Sequence, residues 1–73
     1  MILVYSNHAR QRMTRRRITE SDVELAISNA DIEHSDRDGN PCYVKTVRGK
    51  RIRVVIARGS NPSKVITVID LDE

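Results

Sequence analysis

The sequence is poor in residues that stabilise small folds through special chemistry. It has one cysteine, Cys42, two tyrosines, and no phenylalanine or tryptophan among its 73 residues. A single cysteine excludes an internal disulfide and is typical of proteins from a reducing compartment. Isoleucine, leucine and valine together number 19, so the core of this protein has to be aliphatic.

Long apolar runs are also missing. No stretch approaches the roughly 18 apolar residues that a membrane-spanning helix requires. The N-terminus has neither the basic segment nor the long apolar segment of a signal peptide, so we expect a cytoplasmic protein with no membrane partner. The length predicts one domain over residues 1–73, with room for one layer of helices on one sheet.

Charge is distributed in blocks, although the net charge is only +3. Residues 6–17 contain five arginines and no acid, residues 20–38 contain seven acids and one base, and residues 39–69 contain seven bases and no acid. If the two basic blocks share a face, they form a positive surface suited to phosphate groups. The alternative is that arginine stems cover apolar surface while their charged ends are solvated.

Two N-terminal helices are predicted from capping signals. Ser6 is a good N-cap for a helix over residues 7–16, which contain no glycine or proline. Thr19 is a second N-cap, and Asp22 follows at the third helical position, close to a capping box. The second helix is expected to end near Asn29. Its apolar face repeats at helical spacing: Val23, Ala26, Ile27 and Ala30.

The rest of the chain favours strands separated by turns. Residues 2–5 are either a short strand or a lead-in to the first helix. The expected strands are residues 32–37 at an edge, then Tyr43–Val47, Ile52–Ala57 and Val65–Ile69, with turn signals at 38–41 and 59–62. This order predicts an α+β fold, with two N-terminal helices packed on a four-stranded antiparallel meander.

The register of the central hairpin follows from its turn. A two-residue turn at Gly49 and Lys50 would place Val47 opposite Ile52. The same register sets two further pairs: Thr46 with Arg53, and Val44 with Val55. The segment Val65–Ile69 is apolar except for Thr67, which predicts a central strand covered on both faces.

The sharpest candidate site lies on the first helix, where His8, Arg12 and Arg16 follow at intervals of four residues. This spacing places all three on one stripe of the helix. A neutral histidine there could act as a general base, and the two arginines could hold phosphate oxygens. The alternative is a histidine packed on a strand, with both arginines paired to the acids of the second helix.

A second group of candidates lies on the strands. Arg51 and Arg53 alternate with Ile52 and Val54, so both arginines should point to the opposite face of the sheet. They would extend the same phosphate site, with the Thr67 hydroxyl beside them, or they would form an ordinary solvated face. The sequence leaves open whether this face meets the stripe on the first helix.

Other chemistries find little support. The spacing of His34 and Cys42 matches no zinc pattern, and residues 36–40 lack the ligand spacing of a calcium loop. No glycine-rich phosphate loop is present. We therefore expect neither a metal nor a cofactor.

The motif Ser6-x-His8-Ala9-x-x-Arg12-Met13-x-x-x-Arg16-x-Ile18-Thr19 resembles the opening of a small family of uncharacterised bacterial domains. The resemblance continues through three strand motifs: Tyr43-Val44, Arg51-Ile-Arg-Val-Val55 and Val65-Ile-Thr-Val68. It covers residues 6–69. The family is similar to the RelE-like and BrnT-like toxins of the barnase–RelE ribonuclease grouping, which implies a RelE-like α+β fold and, more weakly, RNA cleavage.

One position departs from the family pattern. The family usually has glycine where this chain has Arg17, and glycine there would form the left-handed C-cap of the first helix. Arg17 adopts that conformation at a cost of about 1 kcal/mol, so the turn between the helices is where this chain could differ.

These observations lead to three hypotheses. The first is a toxin-type, metal-independent endoribonuclease, with His8 as the acid or base and with Arg12, Arg16 and Arg53 holding phosphate. Its partners would be RNA or the ribosome and an antitoxin protein. The second is a non-catalytic basic module that binds nucleic acid or an acidic partner. The third is an interaction protein that pairs through its strand edges. The sequence does not give the oligomeric state.

Overall fold

The computed structural model describes residues 1–72 as two helices and five strands. In chain order the elements are β1 Leu3–Tyr5, α1 Asn7–Arg16, α2 Glu20–Ser28, β2 Ile32–Ser35, β3 Pro41–Val47, β4 Lys50–Ile56 and β5 Ser63–Asp70. The α+β class and both helices are therefore confirmed. None of the helices within residues 1–72 is long and apolar enough to cross a membrane.

The sheet differs from the predicted four-stranded meander. It has five strands in the order β1-β5-β4-β3-β2, and β1 pairs in parallel with β5 while the other pairs are antiparallel. The short run Leu3–Tyr5 becomes a strand because Leu3 and Tyr5 pack against the core beside Val65. This pairing joins segments about 60 residues apart, which local patterns cannot reveal.

The helix caps are those that the sequence predicts. The Ser6 hydroxyl accepts the Ala9 N–H at the start of α1. Thr19 and Asp22 form a complete capping box at the start of α2, each side chain accepting the other's backbone N–H. At the end of α1, Arg17 takes the left-handed conformation itself (φ 58°, ψ 43°) and its N–H closes the helix. The turn therefore has the conformation that a glycine would adopt.

Both helices pack on one face of the sheet. The buried core contains Ala9, Met13, Ile18, Val23 and Ala26 from the helical half and Val47, Ile52, Val54, Ile56, Val65 and Val68 from the strands. We call this side the inner face. The opposite side, which carries no helix, is the outer face. The expectation that Val65–Ile69 is covered on both faces is wrong, since Ile66, Thr67 and Ile69 are only half-buried.

The hairpin register differs from the prediction by two residues. Arg48 and Gly49 form the turn, both with positive φ (48° and 80°), and Val47 pairs with Lys50. Positive φ at both turn positions is the mark of a type I′ turn, which suits the twist of a hairpin. Because side chains alternate with a period of two, the shift leaves every side chain on its predicted face.

Strand β2 ends earlier than expected, at Ser35, because Asp36 folds the chain back on itself. Its carboxylate accepts the N–H groups of Asp38 and Asn40, each at 2.9 Å. The bond from Asn40 is the main reason that the pKa of Asp36 lies below its usual value. This turn leads directly into β3.

The side chain of Arg48 joins the hairpin turn to the two helices. Its Nη2 donates to the carbonyl of Arg17 at 3.0 Å and to Oδ2 of Asp22 at 2.6 Å. Asp22 is buried, at 8% exposure, and the same Oδ2 accepts the Thr19 N–H of the capping box. Lys50, just after the turn, donates to the carbonyl of Arg16.

We expect Arg17→Gly to stabilise the protein by about 1 kcal/mol, since glycine adopts a left-handed backbone without the steric cost of a Cβ. For a domain of this size the melting temperature should rise by roughly 4–8 °C per kcal/mol, measured by circular dichroism. Arg17→Ala is the control, because it removes the charge but keeps the Cβ. Equal stabilisation by both variants would show that charge, and not conformation, is responsible.

Candidate functional site

The first turn of α1 is fixed to the edge of β5 by Ser6. The Ser6 N–H donates to the carbonyl of Val65 at 2.9 Å, and its hydroxyl donates to the carbonyl of Ile66 at 3.0 Å. The same hydroxyl oxygen caps the helix at Ala9. His8 therefore lies on a helical turn that Ser6 attaches to β5 by two hydrogen bonds and caps by a third.

This placement brings His8 to Thr67. The His8 Nε2 and the Thr67 Oγ1 lie 3.1 Å apart, although the two residues are 59 positions apart in the chain, and the contact is exposed to solvent. When Nε2 is the donor, Nδ1 carries the lone pair and can take a proton from a ligand; the other tautomer exchanges these roles. Two of the predicted site residues are thus joined.

Thr67 also connects His8 to the arginines of β4. In the sheet register Thr67 pairs with Val55, and Ile69 pairs with Arg53. Thr67 and Arg53 are therefore diagonal neighbours on the outer face, at a spacing of about 7–8 Å. Arg51 follows two residues earlier on the same face, as the alternation with Ile52 predicts.

Arg53 is embedded among apolar side chains of the outer face. Its cross-strand partner Val44 and its neighbour Val55 are 5% and 6% exposed, although no helix covers them. We infer that the Arg53 stem covers them, as long basic side chains commonly do. The Nε of Arg53 is buried and has no hydrogen-bond partner among residues 1–72.

Cys42 lies next to this arginine and does not behave as a nucleophile. Its side chain is 1% exposed and its thiol donates to the carbonyl of Asn40. Burial raises the pKa of the Cys42 thiol, and the negative charge of Asp36 adds to that, while the charge of Arg53 acts against it. The thiol therefore stays protonated near neutral pH.

Arg12 and Arg16 share the α1 stripe with His8 but not its environment. They lie about 6 and 12 Å further along the helix axis, and both are half-buried where His8 is exposed. Each already takes part in an interaction within the protein. Their role as phosphate ligands remains a prediction, whereas the contact between His8 and Thr67 is observed.

Asp31 lies near Arg51, at one end of the pair formed by Arg51 and Arg53 on the outer face. Its carboxylate accepts the Thr46 N–H at 3.1 Å and contacts the Lys45 ammonium at 3.4 Å. The bond from Thr46 is the main cause of a lowered Asp31 pKa, with the charges of Lys45 and Arg51 contributing. Asp31 is thus ionised, and the charge of Arg51 helps to stabilise its ionised form.

Metal-ligating side chains do not cluster in the part of the chain that the structure describes. Within residues 1–72 no group of three or more His, Cys, Asp or Glu side chains could hold a metal ion. His34 pairs with Cys42 across β2 and β3 without a third ligand.

Two hollows lie on the surface of the protein. One of about 530 Å³ lies over α1, lined by Arg10, Gln11, Thr14 and Arg15, and one of about 300 Å³ lies beside β2. Both are open, and neither is lined by His8 or Thr67.

Two residues matter here that the sequence interpretation did not assign. Ser6 is recognisable as a cap, but its second bond, to Ile66, has no sequence signal. Arg48 looks like an ordinary turn residue, yet it links α1, α2 and the hairpin. Both interactions depend on tertiary contacts between distant segments.

A family model described as a domain of unknown function, DUF4258, matches residues 5–70 of the chain. No curated protein and no solved structure matches this chain. The matched span includes α1, α2, the outer-face arginines and Thr67.

We expect Ser6→Ala to lower the free energy of unfolding by about 1–2 kcal/mol, because it removes an N-cap and a partner of the Ile66 carbonyl. The nuclear magnetic resonance signals of the His8 ring should shift as its contact with Thr67 loosens. Ser6→Thr, which keeps the hydroxyl, should retain most of the stability in urea unfolding. Unchanged stability in Ser6→Ala would show that this anchor does not hold the first turn.

Proposed function

We propose that this chain, which belongs to the DUF4258 family of domains of unknown function, is a RelE-like endoribonuclease. It would cleave RNA without a metal ion. The observation that carries the proposal is the contact between His8 and Thr67 at the edge of an arginine-bearing face. A hydrogen-bonded, solvent-accessible histidine beside fixed positive charge has the parts needed for phosphodiester cleavage.

The reaction uses the RNA's own 2′-hydroxyl. His8 takes the 2′-hydroxyl proton while Thr67 holds the other ring nitrogen. The 2′-oxygen forms a bond to phosphorus, and the bond from phosphorus to the 5′-oxygen breaks. The products are a 2′,3′-cyclic phosphate and a 5′-hydroxyl, whose proton comes from water or from the protonated His8.

Positive charge stabilises the phosphorus centre during this step. Arg53 is the nearer of the two outer-face arginines, because it is the diagonal neighbour of Thr67, and its stem lies beside Val44 and Val55. Charge that is fixed in advance needs no reorganisation when the transition state forms. Arg12 and Arg16, one and two helical turns beyond His8, would add to the positive charge along α1.

The toxin-like part of the proposal rests on the family resemblance and on the two helices that precede the antiparallel strands β2 to β5. It implies RNA on the ribosome as a substrate and an antitoxin protein that covers the outer face. A free nuclease of this kind would arrest growth.

A second candidate function is nucleic-acid binding without cleavage. It is favoured by one observation, namely that Arg12 and Arg16, two of the three residues predicted to catalyse, are already engaged. The arginines of the outer face would then bind phosphate groups, and His8 with Thr67 would serve only to attach α1 to β5.

We expect the purified chain to cleave RNA in the presence of a metal chelator. His8→Ala should reduce the rate by roughly 10²–10⁴-fold, the usual contribution of a general acid or base. Thr67→Val should have a smaller effect, because it removes only the group that orients the ring. Product ends should carry a 2′,3′-cyclic phosphate, measured by mass spectrometry.

His34→Ala is the matched control, since His34 is an exposed histidine at the opposite edge of the sheet. It should cleave at the parent's rate, and all variants should melt alike. Because a ribosome-dependent nuclease would not act on free RNA, growth after controlled expression is measured in parallel. Full cleavage activity in His8→Ala would contradict the nuclease proposal. Normal growth on expression of the parent protein, together with no cleavage of purified RNA, would also contradict it and would leave nucleic-acid binding as the function.

A further inference from the structure

The two outer-face arginines of β4 form a regular row. Arg51 and Arg53 are two residues apart on one strand, so their Cα atoms are separated by about 6.6–6.8 Å. That distance is comparable to one nucleotide repeat of an extended nucleic-acid strand. No side-chain hydrogen bond or ion pair of Arg51 or Arg53 occurs within residues 1–72.

The surroundings of the row favour anions. The outer-face positions of β3 and β4, and those of β5 as far as Ile69, carry no acid, and the bases among those of β3 and β4 are Arg51 and Arg53. The apolar neighbours Val44, Val55 and Ile69 surround Arg53. An anion that contacts the outer part of the Arg53 guanidinium there would lie beside apolar side chains, where a charge interaction is screened less than in bulk water.

Both ends of the row are defined. At the Arg53 end lie Thr67 and His8. At the Arg51 end lie two acids, Asp31, whose pKa responds to the charge of Arg51, and Asp72, whose carboxylate accepts the Arg51 N–H at 3.1 Å. A nucleic-acid strand that runs along β4 would therefore contact Arg53 and then Arg51. Beyond Arg51, the carboxylates of Asp31 and Asp72 would repel its next phosphate.

We propose that the outer face binds an unpaired, extended nucleic-acid strand through two consecutive phosphates, one at Arg53 and the next at Arg51. The placement of a cleavable phosphate beside His8 rests on the proposed nuclease function, but binding itself does not. Unpaired RNA is the substrate class that cleavage requires, because attack by the 2′-oxygen needs it in line with the departing 5′-oxygen, and the A-form duplex disfavours that geometry.

The row of Arg51 and Arg53 would contact the phosphate backbone of the nucleic acid and not its bases. Both tyrosines are on the inner side, Tyr43 through its pairing with Val54 and Tyr5 through its packing on the core. Without an aromatic platform, bases do not stack on the sheet as they do in typical single-strand binders. Affinity should therefore depend on salt and hardly on base sequence.

The test uses short DNA oligonucleotides, which lack the 2′-hydroxyl and cannot be cleaved by the proposed mechanism. Fluorescence anisotropy gives the affinity at several salt concentrations. Each phosphate contact contributes about −0.7 to the slope of log K against log salt for single strands. Arg51→Gln and Arg53→Gln should each reduce the slope by about 0.7 and weaken binding roughly fivefold at 0.1 M salt.

Arg15→Gln is the matched control, because Arg15 is exposed on α1, which packs on the other side of the sheet. It should leave the slope unchanged. Since Arg53 also covers apolar surface, thermal melts are compared first. Arg51 is exposed, so Arg51→Gln remains informative even if the Arg53 variant unfolds.

The outcomes separate this inference from the nuclease proposal. Salt-dependent binding that Arg51→Gln weakens, in a protein that cleaves nothing, supports the row and refutes the nuclease. Absence of binding at low salt, equal loss in Arg15→Gln, or tighter binding of duplex than of single strand overturns the row. Similar affinities for oligo(dT) and oligo(dA) support backbone reading, and a large preference for one of them contradicts it.

Discussion

The side chain of Arg48 fastens both helices to the central hairpin, on the face of the sheet where the apolar core lies. It links the hairpin turn to the carbonyl that ends α1 and to the buried carboxylate that caps α2. Because Asp22 bonds both Thr19 and Arg48 through one oxygen, the start of α2 and the β3–β4 turn are fixed together. Removal of the Arg48 side chain would leave the buried Asp22 carboxylate without one of its bonds, which is costly. With both helices held against the inner face, the arginines of β4 remain uncovered.

The same constraint places the candidate site. Helix α1 is attached at both ends, through Ser6 to β5 and through its last carbonyl groups to Lys50 and Arg48. A ten-residue helix held at both ends has little freedom to slide. The backbone positions of His8 and Thr67 are therefore set by the fold, and from these positions the two side chains meet at 3.1 Å. This is the kind of preorganisation that acid–base chemistry and phosphate binding both require.

Local signals in the sequence determined what could be predicted. The helices followed from Ser6 and the Thr19 capping box, and the outer position of Arg53 followed from alternation alone. A short strand over residues 2–5 was one of two alternatives, but its parallel pairing could not be predicted, because the partner strand is about 60 residues away. The hairpin register was wrong because Arg48 occupies a left-handed turn position that usually favours asparagine or glycine, and its tertiary bonds are what make this acceptable. The contact between His8 and Thr67 likewise required the three-dimensional fold.

Arg53 is hard to explain by stability alone. It lies among Val44, Val55 and Ile69, where a branched aliphatic side chain would pack well and complete an apolar strip. Its buried Nε lacks an acceptor within residues 1–72, and an unsatisfied buried donor typically costs about 1–3 kcal/mol. In a 73-residue domain, whose total stability is only about 5–10 kcal/mol, such a cost is substantial. Local departures of this kind concentrate at functional sites, where the outer part of such a side chain binds a ligand. A phosphate group is the partner whose charge and geometry suit a guanidinium best.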